Sequence, residues 1–245
     1  MTDQFVVPHT AMVLGAGLGK RMRPITDTMP KPLVPVAGKP LIDWGLDRLA
    51  AAGVGKAVVN VHYLADQLEA HLAQRSRPAI EISDERNLLL ESGGGIIKAL
   101  PLLGADPFYL VNSDTFWLDD IEPNLLQLAK AFDLARMDIL LMLASHEQAT
   151  GHGDKSDFTI DSDGRITRFT DGPGIGYIYA GVGILHPRIF DGADKNPHSL
   201  NHEFNAAIAA GRLFGLPMRG QWLTVGTPDA IAPAEAVVSR HEARA

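Results

Sequence analysis

The 245-residue chain contains no cysteine. That removes disulfides, thiolate nucleophiles and every Cys-based zinc site, and it suits a reducing compartment. Long apolar runs are also missing: the longest, Ile139 to Ala144, is far too short to span a bilayer. The opening MTDQFVVPHT lacks the cationic start and apolar core of a secretory signal, so a cytoplasmic protein with no membrane partner is expected. Basic excess is absent as well. Lys and Arg number 22 against 29 Asp and Glu, a net charge of −7, which repels polyanions and argues against nucleic acid as a partner. No linker-like, repetitive or low-complexity stretch divides the chain, so a single domain over residues 1–245 is expected.

What is present is a chain with 46% hydrophobic residues, long enough to bury about 70–75% of its unfolded surface. Short β-rich runs at 11–15, 56–61, 79–83, 108–112 and 138–144 alternate with helical stripes. Leu41, Ile42, Gly45, Leu46 and Leu49 form one stripe behind Pro40. Leu64, Leu68 and Leu72 form a second, and Leu125, Leu128 and Phe132 a third behind Pro123. The alternation predicts an α/β fold: a Rossmann-like, mostly parallel sheet flanked by helices. Beyond residue 150 the pattern changes. Asp163-Gly164 between two alternating runs predicts a β-hairpin, YIYAGVGILHP another strand, and Ser199 to Gly211 a helix. The segment from Pro228 has helical composition interrupted by Pro233.

The chemistry concentrates behind the first strand, in Leu14-Gly15-Ala16-Gly17-Leu18-Gly19-Lys20-Arg21-Met22-Arg23. Alternate glycines let backbone N–H groups approach a bulky anion, and three cations follow within four residues, so a triphosphate is the natural guest. A Walker A loop would need Gly at Leu14 and Ser or Thr at Arg21; a dinucleotide fingerprint would need Gly at Lys20. Neither fits. Downstream, prolines on both sides of Lys31 predict a stiff extended segment that fixes one ammonium.

Together the runs GAGLGKRMRPIT (15–26) and PKPLVPVAGKPLI (30–42) closely resemble the signature of the sugar-1-phosphate nucleotidyltransferases, whose usual form is L-x-x-G-x-G-x-R-x-x-P-x-T followed by P-K-P. Leu90-Glu91-Ser92-Gly93-Gly94-Gly95-Ile96, Leu110-Val111-Asn112-Ser113-Asp114 and Trp222-Leu223-Thr224-Val225-Gly226-Thr227-Pro228 resemble the family's base-binding, metal-binding and C-terminal motifs, in the family's order. The triple glycine, the ALPLLG after it and GILHP at 183–187 are similar to the branch that joins UTP to N-acetylmuramic acid 1-phosphate in peptidoglycan recycling.

The resemblance implies the nucleotide-diphospho-sugar transferase fold, a mixed, mostly parallel sheet, with a nucleotide-binding half at 11–145, a smaller β-rich sugar-binding half at 146–228 and a C-terminal helix at 229–245. It also implies the roles. A sugar-1-phosphate oxygen attacks the α-phosphorus of a nucleoside triphosphate and pyrophosphate leaves. A phosphate monoester needs no strong base, so the protein's work is aligning two polyanions and neutralising developing charge. Arg21, Lys31 and Asp114 are then the catalytic set, with Asp114 holding Mg²⁺. Leu14, Gly15, Ala16, Gly17, Gly19, Lys20 and Arg21 hold the triphosphate, and Glu91, Gly93, Gly94 and Asn112 the nucleoside. Asn112, Asp157, Asp171, Tyr179 and Gly181 are sugar-binding candidates. One position departs from the family pattern W-x-D-x-G-T-P: a second metal carboxylate is usual where Thr224 stands. A guanylyl- or thymidylyltransferase, or a sensor that keeps the pocket without turnover, are the alternatives, and the sequence leaves oligomeric state open.

Overall fold

The computed structural model describes residues 7–170 and 174–243. Seven strands form one sheet: β1 (Thr10–Leu14), β2 (Lys56–Val61), β3 (Ala79–Asp84), β4 (Phe108–Asn112), β5 (Ile139–Ala144), β6 (Ile178–Leu185) and β7 (Leu213–Pro217). Their spatial order is β7-β5-β6-β4-β1-β2-β3. Only β6 runs antiparallel to its neighbours, β4 and β5; the other pairs are parallel. The expected mixed, mostly parallel sheet flanked by helices is therefore the architecture found.

Helices cover both faces, which is why β4 and β5 read as continuous apolar runs. Successive residues of a strand point to opposite faces. Thus Val13, Val59 and Val111 pack with Ile42, Leu46 and Leu49 of α1 (Leu41–Ala51), Leu68 of α2 (Ala65–Leu72) and Leu128 of α4 (Asn124–Ala131). Met12, Val58 and Leu110 face Ile96 and Ala99 of α3 (Glu91–Leu103) and Phe204 and Ala207 of α5 (Asn201–Ala209). A third cluster joins Met22, Trp44, Phe116 and Leu223 to Val237 and Val238 of α6 (Ile231–Glu242). Among the described residues no helix is long and apolar enough to cross a membrane.

The hairpin forms from Phe158–Ile160 and Ile166–Arg168, with Gly164 at φ 84° in its turn. One expectation needs correction. Pro233 does not interrupt the C-terminal helix, because it is the third residue of α6, where a backbone N–H has no helical acceptor to lose. The triple glycine lies inside a helix: α3 begins at Glu91, and Gly93 to Gly95 are its third to fifth residues.

The chain runs from β1 outward through β2 and β3, then returns to place β4 on the other side of β1. At such a switch point the loops leaving two adjacent parallel strands diverge and open a crevice at their carboxyl ends. The glycine loop leaves β1 there, and Ser113-Asp114 leaves β4.

Candidate active site

A cleft of about 360 Å³ occupies that crevice. Its floor begins with the glycine loop. Gly15 is buried so tightly that a Cβ would lie 2.9 Å from the Asn60 carbonyl, and its N–H donates to Asn60 Oδ1 at 2.7 Å. That N–H is therefore used inside the protein rather than offered to a phosphate. Gly17 is exposed, with open space where a side chain would stand. Gly19 has φ 61°, the left-handed region that suits glycine, and its carbonyl accepts from Met22 N–H at 2.9 Å and Thr26 Oγ1 at 2.8 Å. Lys20 to Met22 then form a 3₁₀ turn that buries Met22 and leaves Lys20 and Arg21 exposed, neither in an ion pair within the described residues. Arg23 pairs with Asp27 at 3.1 Å instead. A side chain at Gly226 would come within 3.6 Å of the Arg21 guanidinium, so the Gly226-Thr227-Pro228 segment abuts the basic turn.

Lys31 departs from its expected extended conformation. Pro30 is extended (φ −66°, ψ 141°), but Lys31 starts a 3₁₀ turn over Lys31–Leu33, which Pro32 tolerates near a helix start. The turn carries Lys31 Nζ to 2.8 Å from Asp114 Oδ2, joining positions 83 residues apart. The lysine side chain is 11% exposed and the carboxylate 35%. Thr224 ends the strand Gln221–Thr224 directly opposite Thr115, and Val225 N–H donates to the Asp114 carbonyl at 3.1 Å. Strand pairing thus brings Thr224, where the motif resemblance implies a second carboxylate, beside Asp114, and it offers a neutral hydroxyl there. No cluster of three or more His, Cys, Asp or Glu side chains suited to a metal occurs among the described residues.

Where α3 meets the cleft, Glu91 and Ser92 line it. Glu91 is an exposed non-glycine residue at φ 60°. Gly93 and Gly94 lie outside the lining, and their missing side chains make room for protein: a Cβ at Gly93 would fall 2.4 Å from His198 Nε2, and one at Gly94 3.0 Å from the Asn196 carbonyl. Gly95 sits against a buried polar chain. Glu85, fully buried, accepts from Asn60 Nδ2 at 2.7 Å and from Leu90 N–H at 3.0 Å, so the glycine loop is tied through Asn60 and Glu85 to the start of α3.

On the remaining wall, Asn112 and Tyr179 line the cleft. Gly181, at φ 74° in the irregular part of β6, lies outside the lining but packs over Asn112, with only 3.0 Å to Asn112 Cβ for a side chain. Asp157 also lies outside it; its Oδ2 accepts from Tyr179 N–H at 2.9 Å and so fixes the start of β6. Tyr179 stands edge-on to Phe204, ring centroids 5.5 Å apart. Its hydroxyl is buried without a hydrogen-bond partner among the described residues, and burial, with the Asp157 charge adding to it, pushes its ionisation well above the ordinary tyrosine range. Asp171 lies outside the described residues.

Of the residues singled out from sequence, Leu14, Gly15, Ala16, Gly17, Lys31, Glu91, Asn112, Asp114 and Tyr179 converge on the cleft, whereas Gly19, Lys20 and Arg21 lie outside its lining. Sequence reasoning missed Asn60, Ser92, Ser113, Ser199, Asn201 and Phe204, which also line it. Asn60 had a signal: it is the one polar residue within the buried run Ala57–Val61.

A family model described as nucleotidyl transferase matches residues 10–240. The chain is 47% identical over 234 residues to the N-acetylmuramate alpha-1-phosphate uridylyltransferase of Caulobacter vibrioides, covering 94% of this chain and 96% of that one. It is 38% identical over 233 residues to the protein of that name from Neisseria meningitidis, covering 93% and 97%. Among solved structures, the inositol-1-phosphate CTP transferase from T. maritima shares the fold, with a TM-score of 0.78 over 97% of each chain at 18% identity. A glycine loop, a lysine and an aspartate meeting at the switch point of this sheet, with a family match across nearly the whole chain, place it in the nucleotidyl transferase family.

Proposed function

We propose that the chain transfers a uridylyl group from UTP to N-acetylmuramic acid 1-phosphate and releases pyrophosphate. The observation that carries the reading is the meeting of Lys31 and Asp114 at 2.8 Å on the floor of the cleft, in a chain 47% identical to an enzyme named for that reaction. Residues 11–145 supply the nucleotide side, 146–228 the sugar side, and the C-terminal helix falls within 229–245.

In this reading a phosphate oxygen of the sugar 1-phosphate forms a bond to the α-phosphorus, the bond to the β-phosphate breaks, and its electron pair leaves with pyrophosphate. The nucleophile is already anionic, so no side chain has to remove a proton. The loop from Leu14 to Lys20 and the Arg21 guanidinium hold the triphosphate. Lys31 draws the α-phosphate and the sugar phosphate together, since an ammonium 11% exposed is screened little by water. Glu91, Ser92 and the first turn of α3 face the nucleoside; Asn112 and Tyr179 face the sugar.

One carboxylate plus substrate phosphates is a sufficient donor set for Mg²⁺, which keeps several waters. Asp114 would hold that ion, which would neutralise charge on the phosphates. Thr224, beside it, adds no charge.

Pyrophosphate release from UTP, TTP, GTP and ATP, each with N-acetylmuramic acid 1-phosphate, tests the reading. A kcat/KM for UTP at least tenfold above the purine nucleotides is expected. A preference for GTP overturns the base assignment, and no release with any nucleotide makes the chain a binding protein.

A further inference from the structure

A muramic acid differs from the parent N-acetylhexosamine by a lactyl ether, which ends in a carboxylate. A cleft that takes such a sugar has to meet that charge, because leaving it unpaired in a partly dry site is costly. The walls described above are poorly supplied. Lys31 is the one cation among the described lining residues, its partner is Asp114, and Glu91 adds a further negative charge.

Outside the lining, one cation is hydrogen-bonded to a residue that belongs to it. Arg168, at the end of the hairpin, donates through Nη2 to Asn201 Oδ1 at 2.7 Å and through Nε to Asn205 Oδ1 at 3.0 Å. Asn201 lines the cleft beside Phe204 and Tyr179. The guanidinium also lies 4.8 Å from the ring centre of Phe158. Arg168 is half-buried, and among the described residues no carboxylate lies within ion-pair distance of it, although the Asp157 charge acts on it at longer range. Arg165, three residues away on the same hairpin, pairs with Asp163, and most other partly buried arginines here, such as Arg75, Arg188 and Arg212, have acidic partners. Arg168 is instead oriented by two neutral amides and an aromatic face. That arrangement fixes a planar cation while leaving its charge and remaining N–H groups unspent, as a receptor for a carboxylate requires.

We propose that Arg168 is the specificity-determining residue that receives the lactyl carboxylate of the sugar, with Asn201 and Asn205 as its positioning residues. The proposal rests on the reading of the substrate given above. It makes selectivity a property of the hairpin, outside the motifs that mark the family.

The test compares kcat/KM for N-acetylmuramic acid 1-phosphate and for N-acetylglucosamine 1-phosphate, which lacks the lactyl ether, with UTP as co-substrate, in wild type, Arg168→Met and Arg168→Lys. The ratio of the two values should fall at least tenfold in Arg168→Met, through KM for the muramic substrate, and less in Arg168→Lys, which keeps charge without the planar fork. An equal fall with both sugars, or an unchanged ratio, overturns the proposal. A wild type that does not use N-acetylmuramic acid 1-phosphate overturns the substrate reading itself, which the wild-type arm shows separately. Should Arg168→Met fail to fold, the Arg168→Lys ratio decides, and Asn205→Ala should lower the same ratio by releasing the guanidinium.

Discussion

An ammonium and a carboxylate 2.8 Å apart, mostly shielded from water, are each other's counter-ion. On the proposed function, binding a triphosphate with its metal ion would exchange these partners: Lys31 would turn to phosphate oxygens, and Asp114 would be freed for a cation. Two opposite effects follow for Lys31→Met. Turnover should fall by about 100-fold or more, because a preorganised charge aimed at the phosphates is lost. Mn²⁺ affinity of the free protein, read by titration with paramagnetic resonance, should rise several-fold, because nothing competes for Asp114. A parallel loss of both would remove Asp114 as the ligand. At this scale the sequence was legible where a residue's value is chemical. Lys31 and Asp114 stand out by motif and charge, whereas Asn201 and Phe204 carry no local pattern and reach the cleft only because α5 packs on α3. Asn60 lay between: an amide inside a buried run signals a partner, but not that the partner would be the glycine loop.

The first turn of α3 packs against protein at three successive positions. At Gly95 a methyl group would lie 2.7 Å from Glu85 Oε1 and 2.9 Å from Asn60 Nδ2, two atoms already joined to each other in a fully buried site. Gly95→Ala should therefore cost about 2 kcal/mol in denaturant unfolding and loosen the tie to the loop, raising KM for UTP. Gly17→Ala, with open space around it, should stay within about 0.5 kcal/mol of wild type. The same turn docks the segment before α5: Gly93 N–H donates to the His198 carbonyl at 2.9 Å and Leu200 N–H to Ser92 Oγ at 2.9 Å. The Asn196 carbonyl at Nδ1 raises the His198 pKa, burial opposes, and Glu203, 2.9 Å from Nε2, adds to the rise. A raised folded-state pKa means a contribution fully present below the unfolded value near 6.5 and lost as pH climbs through the folded one. The Tm advantage of wild type over His198→Gln should accordingly be largest below about pH 6 and shrink above 6.5, as thermal melts across that range will show. None of this docking was legible beforehand, since the run of three glycines carries no sign of which distant segment will pack on it.

Across the whole molecule, the alternation of apolar runs and helical stripes was enough to anticipate a covered, mostly parallel sheet, because period and composition are local properties. Strand order is not local. That β6 slots antiparallel between β4 and β5 follows from how far apart segments pack, and no residue of YIYAGVGIL announces it. The order has an energetic consequence: residues 146–217 supply two strands to a sheet whose other five come from residues 10–144. Neither half can satisfy its backbone alone, so calorimetry should show one transition with equal calorimetric and van't Hoff enthalpies.

The β4–β6 pairing places Asn112 and Tyr179, two residues of the cleft wall, on adjacent hydrogen-bonded strands. Walls joined in this way cannot swing apart like the jaws of a two-body clamp. On the proposed function, exchange of substrate for product would fall to the short pieces that complete the lining, Leu89 and Glu91 at the start of α3 and Ser199 and Leu200 after His198. The clock for turnover would then sit in contacts of a few residues, and substitutions there could alter the residence time of a nucleotide sugar without touching any atom that reacts.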